Sequence, residues 1–67
     1  MLQLTINGES RQFVSVTSIS DLLIELSLIG KRVAVERNGE IVPRGMHAAT
    51  ALDSGDQLEI VVAVGGG

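Results

Sequence analysis

The sequence predicts an α+β fold in which one main helix covers one face of a mixed sheet of four or five strands. Three observations predict it: apolar residues alternate with polar ones in several short segments, one segment has a helical period, and two Asn-Gly dipeptides separate alternating segments. The chain has 67 residues, 45% hydrophobic and 19% charged, a balance typical of a globular domain. A chain of this length leaves little room for an enclosed active site.

The chain begins with a predicted β-hairpin. Residues 2–6 alternate between apolar and polar side chains, as in a half-buried strand. Asn7-Gly8 follows and is typical of a two-residue turn, because both turn positions need a positive φ. Residues 10–16 are predicted to return as the second strand. A two-residue turn places Phe13 opposite the start of the first strand, whereas a longer turn places Val14 there.

The apolar period then changes to that of a helix. Ser18 and Asp21 have the spacing of a capping box, although Asp stands where Glu or Gln is usual. One apolar face follows at helical spacing and consists of Ile19, Leu22, Leu23 and Leu26. We therefore predict a helix over residues 19–28, ended by Gly30 in the left-handed conformation.

A second hairpin follows the helix. Residues 33–37 alternate, and Asn38-Gly39 is the second turn signal. Residues 40–42 are predicted to return as a short strand, which Pro43 ends or places at the sheet edge because proline cannot donate a ladder hydrogen bond. The segment 44–54 is predicted to contain one or two turns of α- or 3₁₀-helix.

The last predicted strand, residues 57–64, is the most apolar one. Its alternation places Leu58, Ile60 and Val62 on one face. The first and last strands can pair in parallel at the centre of the sheet, with the helix in the crossover between them. This is the β-grasp, or ubiquitin-like, architecture. Residues 1–64 are the predicted domain, and Gly65, Gly66 and Gly67 form a predicted flexible tail.

The composition argues against several classes of function. No cysteine is present, which excludes disulfides, thiolate metal sites and a side-chain persulfide on this chain. The net charge is −3 and the few cations form no basic stripe, so we expect no nucleic-acid partner. The longest apolar run, residues 60–64, is too short for a membrane span. The N-terminus lacks the pattern of a signal peptide, and we expect a cytoplasmic protein without a membrane partner.

No side chain is a convincing catalytic residue. His47 is the only histidine, and no cysteine or locally spaced carboxylate accompanies it. We therefore predict a surface or turn residue and not a ligand or a base. Asp53 and Asp56 flank one predicted turn and are interpreted as turn and cap residues. The sequence predicts neither a metal nor a bound cofactor.

The three terminal glycines are the unusual feature of the sequence. A frayed chain end is one interpretation, since glycine is often found there. The functional interpretation rests on the absence of side chains, which lets an extended backbone enter a narrow groove. There its amides can pair with a partner as an added strand does. The α-carboxylate of Gly67 would then be accessible to an activating enzyme.

Several segments together form a more specific pattern. They are Ile6-Asn7-Gly8-Glu9, the run from Ser18 to Leu23, the run from Val33 to Arg44, Gly55-Asp56 and the Gly-Gly end. In this pattern the chain resembles, over essentially its full length, the ThiS family of sulfur carriers in thiamine biosynthesis. The stretch 33–44 is the most specific, because ubiquitin-like modifiers and the molybdopterin-synthase small subunit share the Gly-Gly end. The chain departs from many members in ending with three glycines.

The resemblance implies a carrier protein and not an enzyme. In the family, an E1-like adenylating enzyme activates the terminal carboxylate with ATP. Sulfur from a cysteine desulfurase, passed on by way of a persulfide, then displaces AMP. The resulting thiocarboxylate delivers sulfur to thiazole synthase. Carried over to this chain, the resemblance makes Gly67 the reacting residue, and Gly65 and Gly66 the tail that enters the partners.

The predicted faces of the sheet suggest where partners dock. The helix is expected to cover the face that holds Leu58 and Ile60, which leaves Val61 and Ala63 on the open face beside the tail. An apolar patch there would suit a partner-binding surface, although both could equally be ordinary sheet residues.

Three other functions compete with the thiamine sulfur carrier. One is another β-grasp sulfur carrier, such as the molybdopterin-synthase small subunit. The second is a ubiquitin-like modifier that is conjugated to protein lysines. The third is a non-covalent interaction module with an inert tail.

Overall fold

One helix lies against a five-stranded mixed sheet, as the apolar periodicity predicts. The computed structural model describes residues 1–63. The strands are β1 (Leu2–Ile6), β2 (Glu9–Phe13), β3 (Val33–Arg37), β4 (Glu40–Val42) and β5 (Gln57–Val62), and the helix is α1 (Ile19–Glu25). The predicted tail, Gly65, Gly66 and Gly67, and the boundary at residue 64 lie outside the described residues.

The strand order is β2-β1-β5-β3-β4, with the first and last strands side by side near the middle. Strands β1 and β5 run parallel, with Thr5 opposite Gln57 and Ile6 opposite Leu58. The other neighbouring strands pair antiparallel. This topology confirms the β-grasp prediction, because the parallel pair requires the rest of the chain to cross over between its two strands.

Both predicted hairpin turns are present. Asn7 and Asn38 have φ values of 50° and 52°, and each is followed by a glycine with a positive φ. Phe13 lies opposite Leu2, which selects the two-residue alternative for the first turn. The second strand ends at Phe13 and not at residue 16, because β1 begins at Leu2 and offers no partner beyond it.

The side chains of the two turn asparagines also hold β5. The Asn7 Nδ2 group donates to the carbonyl of Ile60 at 3.1 Å, and Asn7 Oδ1 accepts from the N–H of Ile60 at 2.8 Å. Asn38 Oδ1 accepts from the N–H of Gln57 at 2.9 Å. The turn residues therefore fix the position of the strand that leads to the glycine tail, a role that glycine at these positions could not fill.

The helix begins where the sequence predicts. Ser18 is the N-cap, and its side chain accepts a hydrogen bond from the N–H of Asp21 at 3.2 Å. The Asp21 carboxylate in turn accepts from the N–H of Ser18 at 3.2 Å. Aspartate thus completes the capping box in place of the usual Glu or Gln.

The helix ends earlier than predicted. Its last residue is Glu25, and Ser27, not Gly30, is the left-handed residue that terminates it, with φ 60°. The N–H of Leu28 donates to the carbonyl of Leu23 at 2.8 Å, which closes a Schellman motif. The prediction that Gly30 ends the helix is wrong, and Gly30 lies in the following turn.

The core lies between α1 and the helix-facing side of the sheet. Its buried side chains are Leu4, Ile6, Phe13, Val16, Ile19, Leu22, Leu23, Val35, Leu52, Leu58 and Ile60. A 3₁₀ helix over Arg44–Met46 follows Pro43. The predicted helical turns in this region therefore occur, but they stop short of Leu52, which packs into the core from an extended segment.

A buried carboxylate joins the second hairpin to the turn before β5. Asp56 Oδ2 accepts from Arg37 Nε at 2.8 Å and from the N–H of Asp53 at 2.9 Å, and Oδ1 accepts from Asn38 Nδ2 at 3.0 Å. Burial raises the pKa of the Asp56 carboxyl, but these hydrogen bonds and the Arg37 charge together outweigh burial, so the pKa is lowered. Asp53 and Asp56 are turn residues, as predicted, and Asp56 also forms an ion pair with Arg37.

Acid should destabilise the fold through Asp56. Because its pKa is lowered in the folded state, its stabilising contribution is present above the unfolded value of about 3.9 and is lost as the pH falls towards the folded pKa. Urea unfolding at a series of pH values should show the free energy of unfolding decreasing below about pH 4. Asp56→Asn should flatten this decrease, whereas Asp53→Asn, with its side chain 82% exposed, should retain it. An unchanged acid profile in Asp56→Asn would contradict the assignment.

Candidate functional site

Strand β5 is the last element before the glycine tail in the sequence. This strand ends at Val62, and the N–H of Ala63 still donates to the carbonyl of Arg32 at 2.8 Å. Ala63 is therefore held beside the start of β3, inside the sheet and not at its edge. The last described residue is thus part of a rigid element.

The open face beside this point carries an exposed apolar patch. Val61 lies opposite Ala34 in the β3–β5 ladder and is 63% exposed. Ile41 on β4 is 73% exposed. We call Ala34, Ile41, Val61 and Ala63 the open-face patch. The exposure of Val61 and Ala63 agrees with the predicted faces, and their contact with a partner stays a prediction.

A shallow groove adjoins the open-face patch. Its volume is about 340 Å³, and its lining consists of Arg32, Val33, Ala34, Arg44, Val61 and Ala63. The floor is apolar, and the two arginines are exposed. Such a groove suits an apolar side chain of a partner, with the guanidinium groups available to a carboxylate.

Two glutamates lie on the same face, next to Ile41 and farther from the groove than Ala34 and Val61. Glu36 and Glu59 are directly opposite each other in the antiparallel β3–β5 ladder, one pair of same-face residues from Ala34 and Val61. Like charges in this position repel. The sequence alone did not reveal the pair, because the register that brings the two residues together depends on how β3 and β5 align.

His47 is buried, which corrects part of its prediction. It lies in the turn after the 3₁₀ helix, as expected, but only 6% of it is exposed, so the surface interpretation is wrong. Its Nε2 lies 3.1 Å from the carbonyl oxygen of Val42 and donates to it, since a carbonyl can only accept. The N–H of Ser20 also donates to the carbonyl of His47 at 3.1 Å. The residue therefore joins α1 to the end of β4 and has a structural role.

Residues 1–63 offer little side-chain chemistry beyond these groups. Within this part of the chain, no group of three or more His, Cys, Asp or Glu side chains could hold a metal ion. No helix in the same residues is long and apolar enough to cross a membrane. The predicted reacting residue Gly67 and its neighbours Gly65 and Gly66 lie outside the described range, so the described site is limited to the surface of residues 1–63.

Sequence comparison identifies related proteins over almost the entire chain. The family model of the ThiS family matches residues 4–67. A thiazole synthase from Paramagnetospirillum magneticum is 48% identical over 66 residues, which cover 98% of this chain and 20% of that protein. A second thiazole synthase, from Magnetococcus marinus, is 38% identical over the same fraction of its length. The chain thus spans about a fifth of these two relatives.

Two further relatives match along their whole length. The sulfur carrier protein ThiS of Bacillus subtilis is 43% identical over 68 residues, which cover 100% of both chains. The crystal structure of the thiamine biosynthesis protein ThiS from Geobacter metallireducens superposes with a TM-score of 0.82 at 32% identity, covering 98% of this chain and 100% of that one.

Proposed function

The chain belongs to the ThiS family, and on that premise we propose that it is a sulfur carrier protein of thiamine biosynthesis. The observation that carries the proposal is the family match over residues 4–67, which includes the three terminal glycines. The full-length similarity to the Bacillus subtilis sulfur carrier supports it. The protein acts as a co-substrate of other enzymes and not as an enzyme.

The reacting group in this proposal is the α-carboxylate of Gly67. A carboxylate is a poor electrophile, because its oxygen is a poor leaving group. An E1-like adenylating enzyme joins the carboxylate to AMP from ATP, and AMP then leaves when sulfur attacks the acyl carbon. A cysteine desulfurase supplies that sulfur as a persulfide, whose terminal sulfur forms an acyl disulfide as AMP leaves. A thiol, such as the cysteine in the reaction, then reduces this acyl disulfide, which leaves the thiocarboxylate on Gly67 and a disulfide as the oxidised product. The net change is the exchange of one oxygen for one sulfur at the chain end.

The glycines give this chain end access to narrow sites. Gly65 and Gly66 carry no side chains, so the backbone that leads to Gly67 can pass through a tunnel that larger residues would block. Because the chain has no cysteine, sulfur can be carried here only at the terminal carboxyl group. Val61 and Ala63 on the open-face patch are the proposed docking residues beside this tail.

The acceptor of the sulfur is thiazole synthase. Thiazole synthases of two organisms each contain a segment similar to this chain, which makes up about a fifth of their length. The presence of such a segment in a thiazole synthase supports the joint action of the carrier and the synthase. The need to activate a carboxylate before sulfur can displace its oxygen supports the adenylating enzyme, and the family resemblance supports the desulfurase as the sulfur source. A cytoplasmic location is part of the same proposal.

Intact-mass analysis tests the proposal. The full chain is incubated with ATP, the cognate adenylating enzyme, a cysteine desulfurase and cysteine. The expected result is a mass gain equal to the exchange of one oxygen for one sulfur, which fragmentation places at Gly67. A reaction without ATP should show no gain. No gain in the complete reaction, with enzymes shown to be active on an established carrier, would refute the proposal.

A further inference from the structure

The cations of this acidic chain are unevenly placed. The sequence has five Lys and Arg residues. Arg37 is bound to Asp56 and Asp53 at 2.8 Å and 3.2 Å. Arg11 lies over the ring of Phe13 on the edge strand β2, 5.5 Å from its centroid. The remaining three flank the second hairpin: Lys31 and Arg32 precede β3, and Arg44 follows β4. Arg32 and Arg44 line the groove beside Ala63.

Arg32 and Arg44 are available for a partner. Both are exposed, and neither forms an ion pair with any carboxylate of residues 1–63. They border an apolar floor that includes Val61 and Ala63. A guanidinium group presents a rigid fork that matches a carboxylate, and beside an apolar surface its charge is less screened by water.

The carboxylates of the same face lie at the other end of the open-face patch. Glu36 and Glu59 face each other across the β3–β5 ladder, and neither is in an ion pair within the described part of the chain. Arg32 immediately precedes β3 and lies four residues before Glu36, a distance of about 13 Å at the usual rise of a strand. The face therefore has a basic end beside Ala63, an apolar middle at Ala34 and Val61, and an acidic end at Glu36 and Glu59.

We propose that this face binds a protein segment whose charges run in the opposite order. The segment places a carboxylate against Arg32 and Arg44, an apolar side chain on the groove floor, and a cation against Glu36 and Glu59. Only one orientation avoids contacts between like charges, so the charge order sets the direction in which the glycine tail enters the partner. The inference rests on the proposed function, because the partner that it concerns is thiazole synthase.

Charge reversal in the full-length chain tests the inference. Affinity for the cognate thiazole synthase is measured by isothermal titration calorimetry at low and high salt. Arg32→Glu and Arg44→Glu should each weaken binding about tenfold or more at low salt, and high salt should reduce the loss. Arg11→Glu is the matched control, because it makes the same charge change on the distant edge strand, and its affinity should stay within about twofold of the wild type. Glu59→Lys should weaken binding as the arginine reversals do.

The outcomes separate this inference from the proposed function. If the wild type binds and the Arg32, Arg44 and Arg11 reversals bind equally well, the charge order is wrong and the carrier function is untouched. If the wild type does not bind the synthase, the proposed partner fails and this inference fails with it. Thermal unfolding of each variant shows whether it is folded. Should a reversal unfold the chain, Arg32→Gln and Arg44→Gln take its place and should show a smaller loss of the same sign.

Discussion

Deletion of Gly66 and Gly67 should abolish thiocarboxylate formation and leave the fold unchanged. The hydrophobic core lies within residues 4–60, so the deletion removes no core side chain. The shortened chain still ends in a carboxylate, but that group is displaced by about 7 Å, the length of two extended residues. A misplacement of about 1 Å can already cost a factor of about 100 in rate, so no mass gain is expected.

A shorter deletion locates the reacting residue. Removal of Gly67 alone displaces the carboxylate by about 3.5 Å and should also abolish the reaction if Gly67 is the acceptor. Each variant is tested by intact mass after reaction and by rescue of thiamine-requiring cells that lack their own carrier. Circular dichroism and thermal unfolding should match those of the wild type. Full rescue by the variant without Gly66 and Gly67 would reject the carrier function and favour a non-covalent interaction module.

Local signals account for what the sequence predicted correctly. The Asn-Gly turns depend on two residues that tolerate a positive φ, and the capping box depends on Ser18 and Asp21 alone. Each of these turns and caps depends on residues that lie within four positions of one another, so it can be predicted from a short stretch of sequence. The parallel pairing of β1 and β5 was predicted on a different basis, the order of the elements, in which a helix can form part of the crossover between the first and last strands.

Tertiary packing accounts for what the sequence missed. The helix is terminated by Ser27 and not by Gly30, although glycine adopts the left-handed conformation more easily. Ending there lets the N–H of Leu28 donate to the carbonyl of Leu23 while the Leu28 side chain packs against the core. His47 is buried because the chain around it packs against α1 and β4, and no local pattern reports that contact. The glutamate pair exists only in the aligned register of β3 and β5.

The candidate site was predictable to different degrees. The exposure of Val61 and Ala63 followed from alternation along β5. The role of Gly67 came from family resemblance, because a glycine has no side chain from which a chemical function could be inferred. The groove between Arg32 and Arg44 joins residues from two segments that only the fold brings together.

Leu22→Ala should be among the most destabilising simple changes in the helix. Leu22 is fully buried at 0% exposure, and replacing a buried leucine by alanine costs about 2–5 kcal/mol. A domain of this size rarely has more than about 3–5 kcal/mol of stability, so a large fraction of the variant should be unfolded at room temperature. Ile24→Ala is the matched control, because Ile24 lies on the same helix, is 58% exposed and loses a side chain of equal size.

The temperature dependence of the reaction distinguishes a loss of folding stability from a misplaced terminal carboxylate. Each kcal/mol shifts the melting temperature of a small domain by about 4–8 °C, so Leu22→Ala should melt about 10 °C or more below the wild type. Ile24→Ala should melt close to it. If partners recognise the folded surface, cooling the Leu22→Ala reaction should restore thiocarboxylate formation, because the glycine tail is intact. The chain without Gly67 should stay inactive at every temperature, since its defect is the position of the carboxylate. Equal melting temperatures of the Leu22 and Ile24 variants would contradict the packing argument, and an inactive but folded Leu22→Ala chain would contradict the claim that unfolding is its only defect.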